Sequence, residues 1–227
     1  MKGNYVMFKF DKFYDDALNV STILEENESP TGREAFFDYV PTSYFFLEKL
    51  FKHFPFRTED HLIDFGCGKG RVLFMAAINS CECVTGYEIN EERYTSLVKN
   101  INNYQEKFGR KTVFYTYKDD AQNIEIDTIE TANKFFFFNP FHLKIYIKVV
   151  NKVMISLKNN PRNIAVFLYQ PHVKTIEYFD TINVFHKEAF VQYSFISPQI
   201  NKIHIPQFAV YSNYSMEHPL NEYSISL

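Results

Sequence analysis

The chain has 227 residues, of which 46% are hydrophobic and 22% charged, the composition of a folded protein able to bury a core rather than of a disordered or fibrous one. Its 24 Lys and Arg against 27 Asp and Glu give a net charge of −3, which excludes an overall basic field for non-specific nucleic-acid binding. Aromatics are abundant, with 25 Phe and 16 Tyr, whereas glycine occurs only 7 times, and Gly66, Gly68 and Gly70 fall within five residues.

From the N-terminus, MKGNYVMFKFDKFYDD is interrupted by Lys9, Asp11 and Lys12, so it does not read as a secretory leader. Residues 16–26 have helix-compatible composition, ENESPTGRE reads as a loop around Pro30 and Gly32, and TSYFFLEKLFKHF places Tyr44, Leu47, Phe51 and Phe54 at helical spacing. Residues 1–58 are therefore expected to form a helical cap, and residues 59–227 the main domain. There, short apolar runs alternate with amphipathic stretches. HLIDF, ECVTGYEI, KTVFYTY, KFFFFNP and NIAVFLYQP read as strands. The intervening GKGRVLFMAAINS, NEERYTSLVKNINNYQEKF and FHLKIYIKVVNKVMISLKNN, with HVKTIEYFDT after the last, read as helices.

Strands without polar alternation suit the buried centre of a parallel sheet. The pattern predicts an α/β fold with a doubly wound, mostly parallel, seven-stranded sheet. INVFHKEAFVQYSFIS and NKIHIPQFAVYSN supply a C-terminal antiparallel strand pair. No apolar run reaches the roughly 18 residues of a membrane helix, and the three cysteines, Cys67, Cys81 and Cys83, are too few and crowded for a disulfide framework. The expectation is a cytoplasmic protein with reduced thiols, no membrane partner and no metal site.

Asp64-Phe65-Gly66-Cys67-Gly68-Lys69-Gly70 closes the first strand of the domain and opens the next helix. Ligands of open α/β sheets bind at such carboxyl strand ends, where glycine admits close approach. Glu88 ends the second strand 18 residues beyond Gly70, where a carboxylate is placed to accept from two ribose hydroxyls. The spacing G-x-G-x-G behind Asp64 differs from the dinucleotide fingerprint G-x-G-x-x-G.

DFGCGKG followed by YEIN resembles the cofactor loop and second-strand acid of class I S-adenosylmethionine-dependent methyltransferases, over residues 60–170. The resemblance implies S-adenosylmethionine as cofactor and S-adenosylhomocysteine as product. It implies that Asp64 and the backbone of Gly66, Cys67 and Gly68 hold the methionine part, that Phe65 and Gly70 also belong to the cofactor site, that Glu88 holds the ribose, and that Ile89 covers the adenine. It also implies that Asp120-Ala121 meets the adenine amino group, with Asp119 an equal candidate for the acid.

Asn139-Pro140-Phe141, after the fourth strand, is similar to the N-P-P-[YFW] signature of amino-directed methyltransferases but lacks one proline. In that chemistry the Asn side chain and a proline carbonyl accept from an amino group while the aromatic lines the transfer site; an ordinary helix start is the competing reading. Asn139 is also assigned to the cofactor side. Tyr44 is the expected lid contact on the cofactor, and His172 a candidate base at the end of the fifth strand.

The expected function is methyl transfer to a nitrogen of a protein side chain or small amine. Nucleic acid ranks lower as acceptor because no basic stripe is present. The alternatives are a nicotinamide-dependent oxidoreductase and a non-catalytic binding module.

Overall fold

The computed structural model describes residues 2–23, 40–139, 142–194, 207–216 and 224–226. The helices are α1 (Lys2–Leu18), α2 (Tyr44–His53), α3 (Arg71–Ile78), α4 (Glu91–Phe108), α5 (Ile126–Ile129), α6 (Leu143–Asn159) and α7 (Val173–Asp180). The strands are β1 (His61–Phe65), β2 (Cys83–Tyr87), β3 (Val113–Tyr117), β4 (Lys134–Phe138), β5 (Ala165–Tyr169), β6 (His186–Ser194), β7 (Gln207–Ser212) and β8 (Ser224–Ser226). They form one sheet in the order β3-β2-β1-β4-β5-β7-β6-β8.

β1 to β5 run parallel, as their unbroken apolar runs predict. The terminal strands depart from a simple appended hairpin. β7 inserts between β5 and β6 and runs antiparallel to both, and the short β8 lies parallel to β6 as an eighth strand. The order in which successive strands are added reverses between β1 and β4, the switch point at which ligands of such sheets bind at the carboxyl ends.

The aromatic excess is built largely into this sheet. Tyr117, Tyr87, Phe65 and Phe137 are register partners on four neighbouring strands, with stacked rings 4.8, 6.0 and 4.7 Å apart in that order. Aromatic pairs at these separations add to plain area burial, which is already about 1.5–3 kcal/mol for a buried phenylalanine. The row makes a stiff floor directly beneath the loops that leave the strands. Among the described residues no helix is long and apolar enough to cross a membrane.

The N-terminal helix differs from expectation. It spans Lys2–Leu18 rather than residues 16–26, and Asn19, at φ 58°, ends it in the left-handed conformation. Leu18, Val20, Phe46, Leu50 and Phe54 enter the same apolar core as Leu62 and Phe167 of the sheet and Leu73 of α3. A 3-10 turn at Ala121–Asn123 and the short α5 fill the connection between β3 and β4, where the sequence had offered no element.

Candidate active site

The glycine loop leaves β1 with Gly66, Gly68 and Gly70 all at positive φ, 82°, 55° and 94°. Gly66 and Cys67 donate their backbone N–H groups to the Tyr87 carbonyl, which pins the loop to the end of β2. Gly70 caps α3 in the left-handed conformation, and a Cβ there would lie 2.5 Å from Leu97 Cδ1 and 3.0 Å from a Phe74 ring carbon. Glycine is thus required twice over, by backbone conformation and by the closeness of α4.

Gly86, inside β2, is a second close-approach position that sequence reading passed over. A Cβ on it would meet Cys67 Sγ at 2.6 Å and Leu73 Cδ1 at 2.8 Å. Its bare backbone lets the loop and α3 settle against the sheet beside Asp64, its register partner on β1.

Glu88 follows β2 and is buried. One carboxylate oxygen accepts from the Gly68 N–H at 2.9 Å and the other from the Asn90 N–H at 2.8 Å. The acid therefore shapes the glycine loop directly, with the Ile89 N–H a further donor toward it. Burial raises its pKa; the Asn90 and Gly68 N–H groups and the charge of Arg93, a buried residue on α4, pull it back down. Ile89 beside it is half-buried.

Asp64 is buried too, and its carboxyl has no hydrogen-bond donor among the described residues. Burial, and then the Glu88 charge, push its pKa well above the ordinary carboxylate range. The same surroundings push the Cys67 thiol up, burial first and the two carboxyls after it. Two buried acids with one mutual repulsion and few donors form a site that gains from a cation and from hydroxyl groups. S-adenosylmethionine carries both, a positively charged sulfonium and ammonium and a ribose diol, and so the residues present fit that cofactor.

The remaining expected positions fare unevenly. Asp120 caps the 3-10 turn, one oxygen accepting from the Gln122 N–H and the other from its side-chain amide. Asp119 is exposed and accepts from the Asp120 N–H and the Asn123 side chain. Both thus serve the local turn, and Ala121 is buried behind them. His172 caps α7 by accepting from the Lys174 N–H. Pro140 and Phe141 lie outside the described residues. Asn139 is half-buried at the carboxyl end of β4, next to β1 in the sheet, with φ 37°.

The lid expectation for Tyr44 is corrected. Its side chain is fully buried, its hydroxyl donates to Asp15 at 2.7 Å, and the Arg71 guanidinium sits over its ring at 4.4 Å. Arg71, the first residue of α3, also donates to Thr22, Asp11 and the Thr42 carbonyl. Tyr44 and Arg71 together clamp α1 and α2 to the helix that begins at the glycine loop.

The model of the family described as "Histone methylation protein DOT1" matches residues 34–202 of this chain. The chain belongs to the DOT1 family. It is accordingly a methyltransferase that uses S-adenosylmethionine, and the oxidoreductase and non-catalytic alternatives fall away. Among solved structures, a precorrin-6y C5,15-methyltransferase from Geobacter metallireducens superposes with a TM-score of 0.57 at 12% identity, covering 88% of this chain and 99% of its own. A putative RNA methyltransferase from Pyrococcus horikoshii gives 0.54 at 14%, covering 90% and 97%. An RNA methyltransferase from Salinibacter ruber, in complex with S-adenosyl-L-homocysteine, gives 0.51 at 14%, covering 82% and 100%. At these identities the likeness is one of fold. No curated protein matches the chain.

Proposed function

We propose that this DOT1-family chain methylates a nitrogen of a protein side chain or of a small amine. The observation that carries the reading is Asn139, held at φ 37° where β4 ends beside the glycine loop, its carboxamide without a hydrogen-bond partner among the described residues. A carboxamide oxygen there can accept from an amino N–H and leave the lone pair facing the methyl group. The family's association with histone methylation supports a protein acceptor, and the net charge of −3 speaks against a nucleic-acid one.

In this reading Asp64 and the backbone of Gly66 to Gly68 hold the methionine part of the cofactor, Glu88 the ribose, and Ile89 a face of the adenine. Bound S-adenosylmethionine would supply an electrophilic methyl to the lone pair of the acceptor nitrogen, its sulfur being the leaving group. Asn139 orients the nitrogen. Positioning and exclusion of water supply most of the rate in such a displacement. The thiols of Cys67, Cys81 and Cys83 are free, which supports a reducing, cytoplasmic compartment.

The test is transfer of labelled methyl from S-adenosylmethionine to three probes offered separately: core histones, spermidine and total RNA. Label in histones or spermidine is expected. Label confined to RNA, or none in any probe from protein that binds S-adenosylhomocysteine in a calorimeter, overturns the nitrogen-acceptor reading.

A further inference from the structure

Four non-glycine residues among those described have positive φ: Asn19, Ser80, Asn139 and Gln170. Such residues amount to a few per cent of non-glycine positions and call for a reason. For two of them a helix end is the reason. Asn19 follows α1, with the Val20 N–H bonded back to the Asp15 carbonyl, and Ser80 follows α3, with the Cys81 N–H bonded back to the Ala76 carbonyl. These are Schellman closures, which want a left-handed residue.

Asn139 and Gln170 end no helix. Each is the first residue past a parallel strand, β4 and β5, and those strands are neighbours with Phe138 and Tyr169 as register partners. Each is a carboxamide, and each is followed by a proline, Pro140 and Pro171. A residue before proline favours extended backbone, so both positions depart from that preference as well. Both are half-buried, and neither carboxamide has a hydrogen-bond partner among the described residues. The Gln170 backbone is meanwhile fixed, its N–H donating to the Gln207 carbonyl at 2.8 Å. Glycine would satisfy the turn without strain. A carboxamide kept in a glycine-like conformation is explained by its side chain.

We infer that Gln170 binds the methyl acceptor, its carboxamide accepting one N–H of the same nitrogen that Asn139 holds by another. The inference rests on the nitrogen-acceptor reading above. Two carbonyl oxygens on adjacent strand ends match the two N–H groups of a primary amine. With both engaged, the lone pair has one direction left. His172, two residues on, takes no part because its ring caps α7. The chemistry adds no reactant: Gln170 neither gains nor loses a proton.

The experiment uses the purified chain, S-adenosylhomocysteine, and an analogue in which a tertiary amine replaces the sulfur and carries a primary aminopropyl arm beside the amino-acid arm. Wild-type protein is expected to bind the armed analogue more tightly than S-adenosylhomocysteine. Gln170→Gly should lose about tenfold in affinity for the armed analogue, the loss of one hydrogen bond to a charged donor, while its affinity for S-adenosylhomocysteine stays within about twofold. Its Tm should rise by about 2–4 °C as the strained position is relieved, a change that a merely structural Gln170 would not couple to weaker binding.

Equal affinity of Gln170→Gly and wild type for the armed analogue overturns the inference. If Asn139→Gly then loses the arm's contribution, the nitrogen-acceptor reading still stands. A wild-type protein that gains nothing from the arm overturns both, and one that fails to bind S-adenosylhomocysteine removes the cofactor site on which both depend.

Discussion

The two halves of the carboxyl edge are built on opposite terms. At the ends of β1 and β2 the polar groups serve each other: Glu88 accepts from the Gly68 and Asn90 N–H groups, and the loop glycines take the positive φ values. At the ends of β4 and β5 the positive φ values fall on Asn139 and Gln170, whose carboxamides have no partner among the described residues. On the proposed reading the first is the cofactor half, a fitted cradle whose shape exists before anything binds, and the second is the acceptor half, where backbone strain serves to present side chains.

The comparison breaks most visibly at Gly70. Gly70→Val adds a side chain at φ 94° against Leu97 Cδ1, 2.5 Å from the new Cβ. Left-handed strain and overpacking together should cost about 2–5 kcal/mol. Urea unfolding is expected to show a lower midpoint, with S-adenosylhomocysteine binding lost. Unchanged stability would mean that α3 and α4 do not close on the loop as tightly as this packing requires.

Next in size is Glu88→Ala. It removes the acceptor for Gly68 N–H along with the expected ribose contact, and each charge-assisted bond contributes about 1.5–3 kcal/mol. Calorimetry should show S-adenosylhomocysteine affinity falling by about 100-fold or more, with methyl transfer falling alongside. The corresponding acceptor-side change, Asn139→Ala, should lower transfer and leave cofactor affinity nearly intact. If both variants lost cofactor affinity equally, the division of the edge into two halves would be wrong.

The acids of the cofactor half also make a pH prediction. Asp64 and Glu88 have pKa values raised by burial in the folded chain, so between their unfolded and folded values the folded state holds protons that the unfolded state has released. Their contribution to stability is therefore full below the ordinary carboxylate range, about 4, and is lost as pH rises through the raised values. A cation reverses this, favouring the ionised acids. S-adenosylmethionine should accordingly bind with release of protons, read as a dependence of the calorimetric heat on the buffer's ionisation enthalpy, and bind more tightly as pH rises. Proton uptake would show that the acids do not face the positive charge.

Much of this edge was legible in the sequence because its signals are local. HLIDF, ECVTGYEI and KFFFFNP are short, largely apolar stretches of strand length that alternate with helix-length ones, and a glycine triplet stands out in a chain poor in glycine. The misplaced N-terminal helix came from reading the charges of MKGNYVMFKFDKFYDD only as interruptions. Phe10, Tyr14 and Leu18 recur every fourth residue, and Phe10 and Tyr14 pack against the core that Leu18 joins. Gly86 escaped notice because its importance arises from what lies across the fold, Cys67 Sγ, and Arg93 because nothing in the first turn of a helix marks which neighbouring charge, here Glu88, a basic residue acts on. Gln170 escaped because a positive φ leaves no mark in sequence when the residue is not glycine.

Tyr44 offers the finest cut between the halves, since it belongs to neither. Its hydroxyl donates to Asp15, and its ring stacks on Tyr14 at 4.9 Å and lies under Arg71. Tyr44→Phe keeps the ring contacts and removes the hydroxyl, leaving Asp15 with its remaining bonds from the Thr22 N–H and hydroxyl and the Ile23 N–H. The expected cost is about 1 kcal/mol, a fall in Tm of about 2–4 °C, because a buried acceptor loses one of several donors rather than all of them. Affinity for S-adenosylhomocysteine should stay within about twofold, because the hydroxyl is spent on α1 and not on the loop. A variant of unchanged Tm with tenfold weaker cofactor binding would reverse that assignment and return Tyr44 to the cofactor half.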